Sequence, residues 1–534
     1  MGDPRPRSPL PSPLRAALLA GLVLLTACAT APRAPETQPE KVVSSADEVR
    51  LGERYFGYAR QSQGGDWVAD PDLVAYVRKV GARLGAVAER PDLPFAFAVL
   101  DNPAPSAWAL PGGKVAVTRG LLTHLDSEAE LAAVLAHQIA HAETRREARE
   151  LERDVLARLG GVGITAVSDG LGHGMPEELV VGRARLGAVL THLRYDAGEE
   201  AEADRAGMEN MVRAGYDPAA TVVLLERLTP LADGDDPDGW QRGMFGAHPV
   251  SPERLEAARK TLAGLPEGGE TGEAAYRAAV APLLALGPAY DLLAEGEQAL
   301  EDGDPDGAAR KAEAGFAKAP HLANLQALLG AARMAQERWA DAEAALDTAL
   351  EDDPGYYRTW LARGKARAAL GDAKGARADL EKSLELLPTA SADLALGRIL
   401  LDAGELESGR YHLRQAAKAG GAAGREAAEI LTRNEIGEVP GRYVAVGAGL
   451  RPDGTLFLVI QNRSPMAVKN VRVTVTLTDP NTGQPRTAAF TFEGPFAPGS
   501  REPRDTGYGP LPPEASTTLR TQVTGAELVA PDSP

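Results

Sequence analysis

A multidomain chain, mainly α-helical, with a small β-sheet in its first domain and a β-sandwich at its C-terminal end, is the fold class that three features of the sequence predict. Small residues and prolines recur at a 34-residue interval through the middle of the chain, the mark of stacked helix pairs. Ahead of them, apolar residues at helical spacing flank short strand-like runs, and behind them the apolar period changes to two. At 534 residues the chain is also longer than one hydrophobic core usually organises. A net charge of −18 and a pI near 5.1 argue against phosphate-backbone partners, so nucleic acid is not expected as a ligand.

The N-terminus is a separate object. Arg5, Arg7 and Arg15 precede an apolar run from Ala16 to Leu25 that is too short to span a bilayer. The run ends in "LTAC", small residues directly before Cys28, the only cysteine of the chain. This layout resembles a bacterial lipobox. The resemblance implies a lipoprotein signal peptide over 1–27 and a lipid anchor at Cys28. Ala29 is not the aspartate that usually holds lipoproteins in the inner membrane, which implies the periplasmic face of the outer membrane. The mature chain would have no thiol left for disulfides.

Residues 28–45 read as a Pro-rich tether, and helical patterning is expected over 46–265, up to the break "GLPEGGETGEA". Over 280–435, Pro320, Pro354 and Pro388 are spaced by 34, as are Ala308, Ala342 and Ala376, and Gly330 and Gly364 share the interval. That is the length of a tetratricopeptide helix pair, with small residues where helices cross, and it predicts a protein-binding array. Gly397 and Gly409 fall one residue short of the register, which predicts a degenerate last unit or a cap. Over 438–530, "VRVTVTLTD" alternates Val471, Val473, Val475 and Leu477 with polar residues before a "PNTG" turn. With "RYVAVGAGL", "TLFLVIQN" and "RTAAFTF" nearby, a β-sandwich without chemistry of its own is expected.

The chemistry lies in "AHQIAHAE". Ser127 and Glu130 form a capping-box pattern, and the run that follows reads as an amphipathic helix with His137 inside it. At about 100° per residue, His137 and His141 are ~40° apart around the axis and one turn along it, so both imidazoles can reach one metal. Such pairs also occur on solvated helix faces, and context decides between the two. Upstream, "FAFAVLDNPAPSAWALPGGKVAVTRGLL" reads as a strand, a loop, a turn at Pro111-Gly112-Gly113 and a second strand from Lys114 to Thr118. Downstream, a helix carries Glu200 and Asp204 one turn apart, and "HPVSPERL" follows with His248 and Arg254.

These four blocks, in this order, resemble the HtpX/BepA-type zinc metallopeptidases, the family that includes the CAAX prenyl proteases. The family's HExxH falls on His137, Gln138 and His141, and its ExEAD falls on Glu200 to Asp204. The resemblance implies one zinc ion held by His137, His141 and Glu200, with Asp204 orienting a ligand imidazole. His248 would face the metal as a transition-state donor or a reversible fourth ligand, with Arg254 beside it in the catalytic set. The strand Lys114, Val115, Ala116, Val117, Thr118 would accept substrate as an added strand. Tetratricopeptide repeats behind such a domain, together with a lipobox, resemble the outer-membrane quality-control proteases, whose clients are misfolded or assembling outer-membrane proteins.

Two positions depart from the pattern. Gln138 stands where the family has the glutamate that takes the proton of the attacking water, and an amide cannot accept that proton at neutral pH. General-base help is worth ~10²- to 10⁴-fold, so proteolysis is expected to be weakened. Asp196 and Ala197 replace the Ser-Arg pair that commonly precedes the third ligand. Glu143, ~120° round the helix from His137, and Glu130, two turns or ~10 Å back, are not placed to substitute. The other histidines, His124, His173, His192, His321 and His412, have no partner at ligand spacing. Two functions follow from this sequence: a zinc metalloendopeptidase slowed at Gln138, or a catalytically inactive zinc-binding chaperone or adaptor that holds clients.

Overall fold

Ser44 and Asp70 start the first two helices in the same way, each side chain accepting backbone N–H groups of the first turn. They open α1 (Ser45–Ser62) and α2 (Pro71–Gly85) in a computed structural model that describes residues 44–144, 195–229, 248–478 and 484–530. The signal peptide, Cys28, most of the tether, His173, His192 and the "PNTG" turn lie outside the described residues.

Three strands follow, β1 (Ala96–Leu100), β2 (Ala107–Leu110) and β3 (Lys114–Thr118), then the short helix α3 (Arg119–Leu122). Their order in the sheet is β1-β3-β2, with β3 parallel to β1 and antiparallel to β2. The β2–β3 turn holds Gly112 and Gly113 at φ of 75° and 76°, where a Cβ would be strained. Two expectations change here. The segment that reads as a loop contains β2, and the strand expected to receive substrate, Lys114, Val115, Ala116, Val117 and Thr118, is the central one. Both of its edges are paired, so it cannot accept another strand. The outer side of β1 is also engaged, Val99 O accepting Trp67 N–H at 2.8 Å and Phe97 O accepting Arg78 Nε–H at 3.2 Å. The outer edge of β2 pairs with no strand among the described residues.

Helix α4 (Glu128–Glu143) carries the two histidines. Ser127 caps it, accepting Glu130 N–H at 3.1 Å, while the Glu130 carboxylate reaches Asp126 N–H at 2.9 Å instead of closing the box. Instead of showing a polar face, α4 is buried from Ala129 through Ala142, which makes it the core helix of the domain. Helix α5 (Ala197–Ala214) crosses it at Gly207, where a Cβ would lie 3.1 Å from the backbone nitrogen of His137. That close crossing brings Glu200 and Asp204 to the histidines. Helices α6 (Ala219–Leu228), α7 (Pro252–Leu262) and α8 (Glu273–Ala285) complete the domain, α8 packing on α2 and α4.

The repeats are four hairpins: α9 (Gly287–Glu301) with α10 (Pro305–Phe316), α11 (Ala323–Ala335) with α12 (Trp339–Asp352), α13 (Tyr357–Ala369) with α14 (Ala373–Leu386), and α15 (Ala390–Asp402) with α16 (Leu406–Ala419). A single helix, α17 (Gly421–Glu435), closes the array. The 34-residue marker has a contact behind it: a Cβ on Gly330, Gly364 or Gly397 would strike Leu346, Leu380 or Leu413 respectively, each on the partner helix. Because Gly397 repeats the contact, α15 and α16 form a full unit and the cap is α17.

The first domain and the repeats do not pack separately. One buried core runs from Trp67 to Ala332. Trp67 Nε1–H donates to Tyr290 Oη at 2.7 Å, Asn324 Nδ2–H to Asp101 Oδ2 at 2.8 Å, and Gln61 bridges Gly355 O and Tyr357 N–H at 2.7 and 2.9 Å. At the other end, buried Glu435 accepts from Arg414 and from Tyr443 Oη at 2.9 and 2.8 Å, tying α17 to the C-terminal domain. That domain is a β-sandwich of two antiparallel sheets, one of β4 (Val444–Leu450), β5 (Leu456–Asn462) and β8 (Arg501–Asp505), the other of β6 (Val468–Thr478), β7 (Pro485–Phe492) and β9 (Arg520–Leu528). Val471, Val473 and Val475 point into its core, as the alternation requires.

Candidate metal centre

Four side chains from three segments converge: His137 and His141 from α4, Glu200 from α5, and His248 from the segment before α7. One ligand atom of each lies within 4.8 Å of all the others, and all four residues are buried. His137 Nε2 is 3.0 Å from His141 Nε2, 3.5 Å from Glu200 Oε2 and 3.3 Å from His248 Nδ1. Glu200 Oε1 is 3.3 Å from His141 Nε2 and 2.9 Å from His248 Nδ1. Zinc–ligand bonds of about 2.1 Å set donors at tetrahedral corners about 3.4 Å apart, so this donor set of imidazoles and a carboxylate fits zinc.

The surrounding residues fix the donors. Asp204 Oδ1 accepts Nδ1–H of His137 at 2.8 Å, which leaves the Nε2 lone pair facing the cluster. Asp204 is held in turn by Arg254, whose Nε and second amino nitrogen donate to it at 2.7 and 2.9 Å. Arg254 also pairs with Glu200 and donates to Pro249 O at 3.0 Å, joining the His248 segment to α5. Arg254, which the resemblance puts in the catalytic set, is 5% exposed and pairs with both carboxylates, contacts that would position them.

Ser251 builds this corner by capping α7, its Oγ accepting Arg254 N–H at 3.2 Å. Asp196 does the same for α5, forming a full capping box with Glu199. The replaced Ser-Arg pair therefore has a local function here, which is to start the helix that presents Glu200. Asp196→Ala is expected to cost about 1 kcal/mol and to loosen the centre, measured as a lower denaturation midpoint with weaker zinc retention.

The electrostatics favour metal-binding protonation states. Burial, reinforced by the neighbouring His137, pushes the His141 imidazole from 6.5 down to about 3. Burial likewise lowers His248. Burial opposes the charge of Glu200, but His248 and His137 outweigh it and hold the carboxyl well below its usual range. Asp204 is also held low, burial being overcome by Arg254. Because His141 stays neutral in the folded chain, the unfolded chain takes up a proton below 6.5 that the folded chain refuses. The stability it contributes is full above pH 6.5 and declines as pH falls toward 3, by at most about 1.4 kcal/mol per pH unit. Thermal melts of the EDTA-treated protein should show that decline, and a flat midpoint between pH 6.5 and about 4 would contradict it.

Gln138 is fully buried. Its amide Nε2–H donates to His248 Nε2 at 3.1 Å, and its Oε1 has no partner among the described residues. An orphaned acceptor beside the donor cluster suits a site that binds a polar group. No described carboxylate besides Glu200 and Asp204 touches the three imidazoles: Glu143 accepts Arg90 N–H at 2.7 Å, and Glu130 is taken by Asp126 and Arg227. His321 and His412 lie in the repeats, His412 bonding Asp393 at 2.8 Å.

Tyr195 escaped sequence reasoning. Its ring stacks on His141 at 3.8 Å and on His248 at 5.1 Å, covering one side of the cluster. No spacing rule marks it, since it precedes the helix cap and reaches the histidines only through the fold.

Residues 71–262 match Peptidase family M48, and residues 299–364 match a tetratricopeptide repeat. The beta-barrel assembly-enhancing protease of Yersinia pestis is 33% identical over 226 residues, covering 42% of this chain and 45% of that protein. Its counterpart in Escherichia coli (strain K12) is 31% identical over 231 residues, covering 42% and 45%. The mitochondrial metalloendopeptidase OMA1 of Schizosaccharomyces pombe is 35% identical over 194 residues, covering 36% and 53%. The chain thus spans about half the length of the curated relatives it matches.

Proposed function

We propose, from the premise that residues 71–262 are a peptidase family M48 domain with tetratricopeptide repeats behind it, that this protein is a zinc-binding component of outer-membrane protein quality control whose proteolysis is slowed at Gln138. The relatives named beta-barrel assembly-enhancing protease support the client class, misfolded or assembling outer-membrane proteins. The lipobox at Cys28 supports a lipid anchor at the periplasmic face of the outer membrane.

The observation that carries the reading is the environment of Gln138. His137, His141 and Glu200 would hold the zinc, which when bound would supply Lewis-acid polarisation of a peptide carbonyl and of water. The chain's own residues then set the rate. Asp204 and Arg254 keep His137 in the ligating tautomer and Glu200 charged. Gln138 Oε1 can accept a hydrogen bond in the cleft but cannot keep a proton, and each nearby described carboxylate is already engaged.

A second reading, a catalytically inactive zinc-binding chaperone or adaptor, is favoured by His248. His248 brings a fourth donor residue to the cluster, its Nδ1 3.3 Å from His137 Nε2; ligation through Nδ1 would put the ring proton on Nε2, where the orphaned Oε1 of Gln138 in the other amide orientation would accept it, and closed four-donor sets are typical of structural zinc. Metal analysis with casein turnover on the purified protein separates the two. About one zinc with slow, chelator-sensitive turnover supports the enzyme, and one zinc with none supports the chaperone. Absence of bound zinc would overturn both readings.

A further inference from the structure

The three imidazoles of the metal centre are not held alike. His137 and His141 stand on the buried core helix α4, and Asp204 fixes the ring of His137 through Nδ1 at 2.8 Å. His248 precedes α7 and lies in no helix or strand. Its ring is met at both nitrogens, Nδ1 by Glu200 at 2.9 Å and Nε2 by the Gln138 amide at 3.1 Å. Two contacts of this kind act along the ring and oppose least a tipping of the ring about the line that joins them. A group packed on the face of the ring opposes that motion. The motion matters because an imidazole binds a metal through a lone pair in its own plane, so a tipped ring misdirects the bond.

Tyr195 is such a group. Its ring stacks with His248, the centroids 5.1 Å apart and the planes 19° from parallel, and with His141 at 3.8 Å and 27°. His141 and His248 are themselves 5.1 Å apart at 45°, so one phenol ring bridges two imidazoles whose planes diverge. Tyr195 is buried, which keeps solvent from that side of the cluster. The next residue, Asp196, caps α5 with a full capping box and so fixes where Tyr195 enters the helix. The start of α5 thereby delivers both the Glu200 carboxylate and the ring that lies on two other donors.

We propose that Tyr195 is a positioning residue of the metal centre: its ring holds His141 and His248 in the planes that aim their lone pairs at one ion, and it keeps His248 as a standing fourth donor that a small anion does not displace. The proposal rests on the metal-centre reading above and assigns the closure of the fourth position to a residue outside the donor set. The effect belongs to the ring and not to the hydroxyl, because stacking is a property of the π face.

The test uses the full-length protein loaded with Co²⁺, whose visible absorption reports coordination number, and azide as the competing anion. The wild type and Tyr195→Phe, which keeps the ring, should show the intense bands of a four-coordinate ion, unchanged by azide. Tyr195→Leu, which keeps apolar bulk without the ring, should show altered bands that respond to azide. It should also bind zinc roughly fivefold or more weakly in chelator competition, as the loss of an aromatic stack implies. A purely structural role would lower the melting midpoint without opening a coordination position to azide. Cobalt bands, azide response and zinc affinity of Tyr195→Leu equal to those of the wild type would overturn the proposal. So would a Tyr195→Phe protein that behaves as the leucine variant, or a wild type that takes up azide; these two outcomes decide the matter even if Tyr195→Leu does not fold. A wild type that binds neither cobalt nor zinc overturns the metal-centre reading and this role with it, whereas full metal loading with no effect of Tyr195→Leu removes this role alone.

Discussion

Gln138→Glu is expected to raise zinc-dependent casein hydrolysis by about 10²-fold or more, with zinc content unchanged. The position is fully buried next to the donor cluster and contributes no ligand, so substitution there leaves His137, His141 and Glu200 in place. A carboxylate at the same position differs from the amide in two ways. It can accept the proton of water polarised by the metal, and it can accept a hydrogen bond from His248 Nε2 where the amide now donates one at 3.1 Å. The second change reverses the tautomer demanded of His248, whose Nδ1 now faces Glu200 at 2.9 Å. A large gain identifies a peptidase slowed at one residue. No gain at full zinc occupancy would locate a further block in the His248 segment and favour the chaperone reading.

Glu200→Ala should abolish zinc binding and destabilise the first domain by roughly 3 kcal/mol, the low end of the range for breaking a buried ion pair. The carboxylate is fully buried and meets His137, His141, His248 and Arg254. Its loss removes the one carboxylate donor of the cluster among the described residues and leaves part of the Arg254 charge uncompensated. Asp204 still binds Arg254 in two places, which is why the cost falls at the low end. Elemental analysis and a denaturation midpoint check both effects. Retention of one zinc equivalent by the alanine variant would show that the three histidines hold the metal without Glu200.

Several elements were legible because they depend on chain-local periodicity. His137 and His141 lie one helical turn apart whatever surrounds them, Glu200 and Asp204 likewise, and the alternation at Val471, Val473 and Val475 can serve only a strand with one buried face. The 34-residue interval behaves the same way, because each of Gly330 and Gly364 must admit a leucine from its partner helix. Residue chemistry also sufficed for Gln138, since an amide is not a base in any fold.

What only the tertiary structure decided are relations between segments distant in sequence. That β3 is the central strand follows from its pairing with β1 across a crossover, and no pattern within Lys114 to Thr118 records which neighbours it has. Arg254 meets Asp204 and Glu200 because α7 turns it toward them. Tyr195 reaches the metal centre through ring stacking, which has no sequence spacing. The shared core of the first domain and the repeats, from Trp67 to Ala332, was hidden for the same reason. Backbone geometry sets which residues of one helix or strand share a face, and so the sequence alone determined the elements and the pairs His137 with His141 and Glu200 with Asp204. Which faces meet depends on burial summed over the whole chain, and that only the folded structure decided.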